Sequence, residues 1–245
     1  MKKLLSNIRN ADNDFKMIEE NDKIAVGLSG GKDSIALLYA LHRYSMFSPV
    51  KFEVIGIHVN VGFPNMSMET TKQFLNENSI PYYEINTNIY DILKAKQEKE
   101  KSYQLSCSQC SQFKKAYLCE EAKKLGCNVI AYGHHCEDAI ETFLMNAIFG
   151  GRVATFKPKM FLENSNLKFI RPMIYTRENE ILKVVNKYNL PICPSTCPND
   201  KNTQRKEMRN LYEDIVKKYP FAKENLLKML YNEKQVILWH KEREE

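Results

Sequence analysis

Six consecutive residues, Ser29-Gly30-Gly31-Lys32-Asp33-Ser34, gather two hydroxyls, an ammonium and a carboxylate around a glycine pair. Adjacent glycines let a backbone turn sharply and approach a ligand closely, because no Cβ intervenes. Where such a turn opens a helix, the unpaired N–H groups and the positive end of the helix dipole form an anion site. Lys32 and the hydroxyls of Ser29 and Ser34 add donors suited to phosphate oxygens. The spacing matches neither G-x-x-x-x-G-K-[S/T] nor G-x-G-x-x-G, which argues against a kinase or GTPase loop and a dinucleotide fingerprint. A plain strand-to-helix turn would explain the glycines but not the polar residues around them.

The seven cysteines are the second chemical signal. Cys107 and Cys110 form C-x-x-C, Cys193 and Cys197 form C-x-x-x-C, and Cys119, Cys127 and Cys136 stand apart. The N-terminus is basic but is interrupted by Asn7, Arg9, Asn10 and Asp12 before an apolar core can develop, so export is not indicated. In a reducing compartment an odd set of thiols reads as metal-binding rather than as a disulfide framework. Thiolates are soft donors for zinc or an iron-sulfur cluster. Cys107, Cys110, Cys193 and Cys197 could complete a four-cysteine structural zinc site, and that alternative stands beside the cluster. Cys119 and Cys127 read as buried small hydrophobes.

A third polar stretch, Gly133-His134-His135-Cys136-Glu137-Asp138, continues through Glu141 and Thr142. Taken singly, its acids are ordinary for a helix start and its histidines for a buried strand end.

Elements of two periods must position these groups. Residues 23–29 read as a buried strand, and Ile35, Leu38, Tyr39 and His42 recur as on a helix face. Further strands are expected at 52–59, 82–85 and 129–132, with helices at about 68–78 and 112–125 between them. Strands alternating with helices predict an α/β fold, a Rossmann-like parallel sheet with helices on both faces and a ligand at the carboxyl ends of the strands. Residues 1–20 form a helical leader with Leu4, Leu5, Ile8, Phe15 and Ile18 on one side, residues 21–160 the main domain with a cysteine-bearing insert, and residues 161–245 a C-terminal part. That last part begins irregularly, with Pro172, Pro191, Pro194 and Pro198, and ends in a small helical module of two helices, about 203–219 and 223–239. The 245 residues, 43% hydrophobic, suffice for a sizeable core. The longest apolar stretch, Ile35 to Leu41, is too short to span a bilayer.

The loop resembles the S-G-G-x-D-S signature of the PP-loop ATP-pyrophosphatases, a Rossmann-like group of the HUP type. The segment from Gly133 to Thr142, with Glu137 in place of an aspartate, and on through Asn146 to Gly150-Gly151-Arg152, is similar to the G-H-H-x-D-D-x-x-E-T segment of the TtcA group, which places sulfur on cytidine in tRNA. The resemblance spans about 24–219. It implies that Ser29 to Ser34 hold the pyrophosphate end of ATP, with His58, Val59, Gly133 and His134 beside the nucleotide, and that Asp33 and Asp138 act in catalysis, Asp138 through Mg²⁺. It implies also a [4Fe-4S] cluster on Cys107, Cys110 and a third cysteine. Cys197 fits that place because it lies seven residues before Gln204-Arg205; the group often has C-x-x-C where Cys193 and Cys197 stand one residue further apart.

The implied activity is an ATP-dependent tRNA sulfurtransferase: ATP adenylates the C2 oxygen of a pyrimidine and sulfur displaces AMP. The implied partners are tRNA and sulfide or a sulfur-donor protein, in the cytoplasm, with no membrane and with a homodimer left open. A net charge of +6 suits a phosphate-rich partner and is equally ordinary for a soluble enzyme. Lys114, Lys115, Arg152, Lys201, Arg205, Lys206 and Arg209 are the candidate phosphate contacts. Competing readings are another PP-loop adenylator, lysidine synthase-like or amidating, and an ATP-binding protein with structural zinc.

Overall fold

The computed structural model describes residues 1–100, 105–194, 196–198 and 204–238. The chain divides into two units, Met1–Cys136 with Lys157–Thr203, and Glu137–Phe156 with Gln204–Glu245.

The first unit contains strands β1 (Asp22–Leu28), β2 (Phe52–Asn60), β3 (Tyr82–Asn86), β4 (Val129–Ala131), β5 (Lys159–Leu162) and β6 (Leu167–Ile170). They form one sheet in the order β3-β2-β1-β4-β6-β5. All neighbours run parallel except β5, which is antiparallel to β6. The helices of this unit are α1 (Lys2–Phe15), α2 (Lys32–Ser45), α3 (Glu69–Glu77), α4 (Ile89–Glu100), α5 (Cys107–Lys124) and α7 (Glu178–Tyr188), while α6 (Cys136–Gly150) leaves it after its first residue.

Alternation along the strands sends side chains to two covered faces. Ala25, Ile55, Ile57, Ile130 and Phe169 pack with Leu93 of α4 and with Leu118 and Ala122 of α5. The opposite face carries α2, backed by α1 and α7. There Gly56 lets α2 come close: a Cβ at this position would lie 2.7 Å from Leu38. The expected α/β class with helices on both faces is what the chain adopts, with an antiparallel edge strand added.

Three sequence expectations change. The leader is a single helix built into the first unit: Leu4, Ile8 and Ala11 are buried, and α1 packs on α2 and α7. Burial of a large aliphatic side chain contributes about 1.5–3 kcal/mol, enough to hold a helix of 14 residues that would be marginal alone. The boundary at residue 160 also moves. β6 lies between β4 and β5 in the sheet, so residues 161–203 cannot be separated from the main domain. β6 was hidden because its four residues include Lys168, whose ammonium is buried 2.8 Å from the Asp22 carboxylate. The missed helix α7 buries Ile181, Val184 and Val185 at helical spacing. Finally, the helix expected from Gln112 begins at Cys107, capped by Ser106, whose hydroxyl accepts the Gln109 N–H at 3.4 Å.

The second unit holds the rest of α6 with α8 (Gln204–Lys218) and α9 (Ala222–Met229). The chain after α6 folds back on it: Thr155 donates to Ala139 O at 2.7 Å, and the Asn146 amide to Ala154 O at 2.9 Å. α9 stops well short of the expected helix end at Trp239, which lies outside the described residues, as does Lys201. Among the described residues no helix is long and apolar enough to cross a membrane.

Asp22 is 3% exposed and is held by Asn128 at 2.7 Å and Lys168 at 2.8 Å. Removing one partner of a buried pair strands the other charge. Lys168→Met is expected to lower unfolding stability by about 3 kcal/mol, read by urea denaturation; an unchanged midpoint would show that the pair does not hold β6 to β1.

Candidate active site

The loop from Ser29 to Gly31 joins β1 to α2 at the carboxyl end of the sheet. Gly30 has φ +86°, a left-handed turn that glycine adopts without strain. Gly31 caps α2, so the next N–H groups open onto the loop. The two serines brace it: their hydroxyl oxygens lie 3.2 Å apart, Ser34 donates to Gly31 O at 3.0 Å, and the Gly31 N–H donates to Ser29 Oγ at 3.3 Å.

Lys32 donates to Asp33 at 3.0 Å and to Glu178, in the first turn of α7, at 2.8 Å. Burial alone would lower the lysine's pKa, but hydrogen bonds and charge from Glu178 and Asp33 outweigh it and raise the value. Lys32 is therefore a fixed ammonium. His135, itself buried, stands 3.9 Å from the Asp33 carboxylate.

β4 adjoins β1, and Gly133 follows it. A Cβ at Gly133 would fall 2.9 Å from Asp33 C and 3.0 Å from Ser34 N, where only backbone could yield. His134 accepts at Nδ1 from the Arg171 guanidinium at 3.2 Å. Burial lowers the Arg171 pKa, so this contact comes from a poorly solvated cation.

His58 pairs in register with Leu28, the last residue before the loop. Its Nδ1–H donates to Leu28 O at 2.9 Å, which leaves Nε2 as an acceptor, buried and without a hydrogen-bond partner among the described residues. Burial lowers the His58 pKa, partly opposed by that bond, and keeps the ring neutral. The Val59 side chain packs in the core on the other face, so only its backbone is available to a ligand.

No cysteine is disulfide-bonded. Cys107 and Cys110 lie on the first turn of α5. Burial raises the Cys110 pKa, Lys114 opposes it, and the Cys197 and Cys107 thiols add to the rise, which places Cys110 within electrostatic reach of both. Cys193 is engaged elsewhere. Its N–H donates to Gly30 O at 2.9 Å and its thiol to Ser67 O at 3.0 Å. Among the described residues no three Cys, His, Asp or Glu side chains already form a metal-binding group. Cys127 is buried, its thiol pushed up to about 11, and Cys119 is half-buried with its thiol raised by burial.

In the second unit Asp138 sits in the first turn of α6, 3.6 Å from the Arg205 guanidinium. Arg152 donates to Asn146 at 3.1 Å, Arg209 to Glu213 at 3.3 Å, and Lys206 is exposed. In the first unit Lys114 is exposed and Lys115 lies over the Phe169 ring. Sequence reasoning assigned no role to Glu178, and it placed Cys193 only among the thiols. The R-x-x-E cap of α7 could have located the helix that carries Glu178, but nothing in the sequence pairs it with Lys32.

A PP-loop domain model matches residues 2–214, nearly the whole chain. The chain belongs to the PP-loop family. Curated relatives named tRNA-cytidine(32) 2-sulfurtransferase include one from Geobacter sulfurreducens, 34% identical over 94% of this chain and 90% of that protein. Another, from Neisseria meningitidis, is 33% identical over 94% of this chain and 72% of its own. Among solved structures, the U34-tRNA thiolase NcsA from Methanococcus maripaludis with its [4Fe-4S] cluster has the same fold, at a TM-score of 0.69 and 22% identity over 92% of this chain and 76% of that one.

Gly133 supports the loop backbone at Asp33 and Ser34, where a Cβ would not fit. Gly133→Ala is expected to weaken ATP binding on the order of tenfold or more, since a displaced loop misaims several N–H donors at once. Calorimetric titration with ATP checks this; unchanged affinity would mean that the loop can yield without loss.

Proposed function

We propose that the protein is an ATP-dependent tRNA 2-sulfurtransferase acting on cytidine, the base in its relatives' name. The reading rests chiefly on a phosphate-binding loop and a coupled set of thiols, Cys107, Cys110 and Cys197, in one chain of this family.

The loop N–H groups, Lys32 and the serine hydroxyls hold the β and γ phosphates. His58 Nε2, a bare buried acceptor, takes a donor from the nucleoside half of ATP, beside Gly133 and His134. The C2 oxygen of the base attacks the α phosphorus; an O–P bond forms, the α–β bridge breaks and pyrophosphate leaves. A sulfide sulfur then adds at C2, and AMP departs with the former C2 oxygen. Adenylation is needed because oxide is a poor leaving group, and the geometry must hold oxygen, phosphorus and sulfur together. Asp33 in the first unit and Asp138 in the second each carry carboxylate oxygen suited to Mg²⁺, which would offset phosphate charge when bound.

Cys107, Cys110 and Cys197 fit a [4Fe-4S] cluster as three soft donors, two of them on the first turn of α5. Bound there, the cluster supplies one iron without a protein ligand, open to sulfide. The four-cysteine zinc reading is disfavoured by Cys193, whose thiol donates to Ser67 O and whose N–H ties it to the loop. Exposed Lys114 and Lys206 are among the cations that meet tRNA phosphates, and the site of action is the cytoplasm, where tRNA and reduced thiols coexist.

Anaerobically reconstituted protein given ATP, sulfide and tRNA should yield thiolated cytidine by nucleoside mass spectrometry, with binding that weakens steeply in salt. Unmodified RNA from protein with an intact cluster would overturn the assignment. Cys107→Ser, Cys110→Ser and Cys197→Ser should each lose cluster iron, while Cys193→Ser should retain it; iron retained in Cys197→Ser and lost in Cys193→Ser would transfer the third position to Cys193.

A further inference from the structure

Three donors of the loop are satisfied within it. The Ser29 N–H donates to Ser34 Oγ at 3.2 Å, the Ser34 hydroxyl to Gly31 O at 3.0 Å, and the Gly31 N–H to Ser29 Oγ at 3.3 Å. These are neutral bonds within six residues, and phosphate oxygens replace them without charge repulsion. The Lys32 contacts differ in kind. Its ammonium lies between Asp33 at 3.0 Å and Glu178 at 2.8 Å, with Lys32 and Glu178 both about one-fifth exposed.

Glu178 reaches the loop from a separate element and is held there. The start of α7 is fixed by Glu180, whose carboxylate accepts the Arg177 N–H at 3.0 Å and the Asn7 amide at 2.9 Å. The positive end of the α7 dipole further favours a carboxylate at this place. An anion bound at the loop therefore meets a fixed negative charge that holds the very ammonium it needs. Phosphate and Glu178 therefore compete for one cation, and partial burial strengthens each of the two attractions.

We propose that Glu178 sets the loop's affinity for pyrophosphate by competing for Lys32, which passes to the phosphates when they bind and returns to Glu178 when pyrophosphate leaves. The proposal rests on reading the loop as the pyrophosphate cradle. Glu178 is here a positioning residue: it touches Lys32 and need not touch the reacting atoms. Its consequence is that product leaves more readily than an unopposed lysine and helix start would allow.

The test is equilibrium titration of the full-length protein with inorganic pyrophosphate and, separately, with AMP, for wild type, Glu178→Gln, Glu178→Ala, Lys32→Met and the Lys32→Met/Glu178→Gln double variant. Both Glu178 variants should bind pyrophosphate more tightly, on the order of tenfold for removal of one nearby half-buried charge, with AMP affinity unchanged. The gain should vanish when Lys32 is absent, so that the double variant matches Lys32→Met. Pyrophosphate affinity that is unchanged or weaker in both Glu178 variants, an equal gain for AMP, or a gain that survives in the Lys32→Met background would overturn the proposal. The measurement needs neither tRNA nor sulfur, so failure of thiolation would count against the proposed activity and leave this inference standing.

Discussion

Gly133 lies so close to the backbone of Asp33 and Ser34 that no side chain fits between them, and the rest of the site is arranged about that approach. β1 and β4 are parallel neighbours, so the loop after one and the glycine after the other emerge at the same end of the sheet. The sheet's parallel order brings His58 to that end beside Leu28, and the segment after β6 returns there twice, through Glu178 and through Cys193. The loop is thus braced by four other stretches of chain. Its precision comes from backbone contacts, which cannot relax as a long side chain can.

Much of this was legible in the sequence, for identifiable reasons. β1, β2 and β4 are continuous apolar runs because both of their faces are covered, and the glycine pair after β1 needs a turn that few other residues make. The thiol pair was legible as chemistry but not in its placement, since C-S-Q-C carries no helical signature until Ser106 is recognised as a cap. The region from 158 to 203 was read as irregular because prolines dominate it and because β6 carries a buried lysine. That lysine is tolerated only through Asp22, a partner 146 residues away, and such pairing is invisible to local periodicity. The Lys32–Glu178 contact escaped for the same reason.

The two chemical groups are held by different means. The loop is held by close packing and by hydrogen bonds, with the Ser29 and Gly31 N–H groups and the Ser34 hydroxyl bonded within it. Cys107 and Cys110 are placed by the first turn of α5, and burial raises the Cys110 pKa. Cys193, the cysteine bonded to Gly30, connects the loop to the segment that carries Cys197.

If ATP activates the C2 oxygen of cytidine, that oxygen leaves with AMP. The most direct test is to supply reconstituted protein with sulfide, ATP and tRNA whose cytidines carry oxygen-18 at C2, then to analyse the released nucleotides by mass spectrometry. The account predicts that the label appears in AMP, matched to the thiolated cytidine formed. Label found in pyrophosphate or in water, with AMP unlabelled while thiolation proceeds, would contradict it.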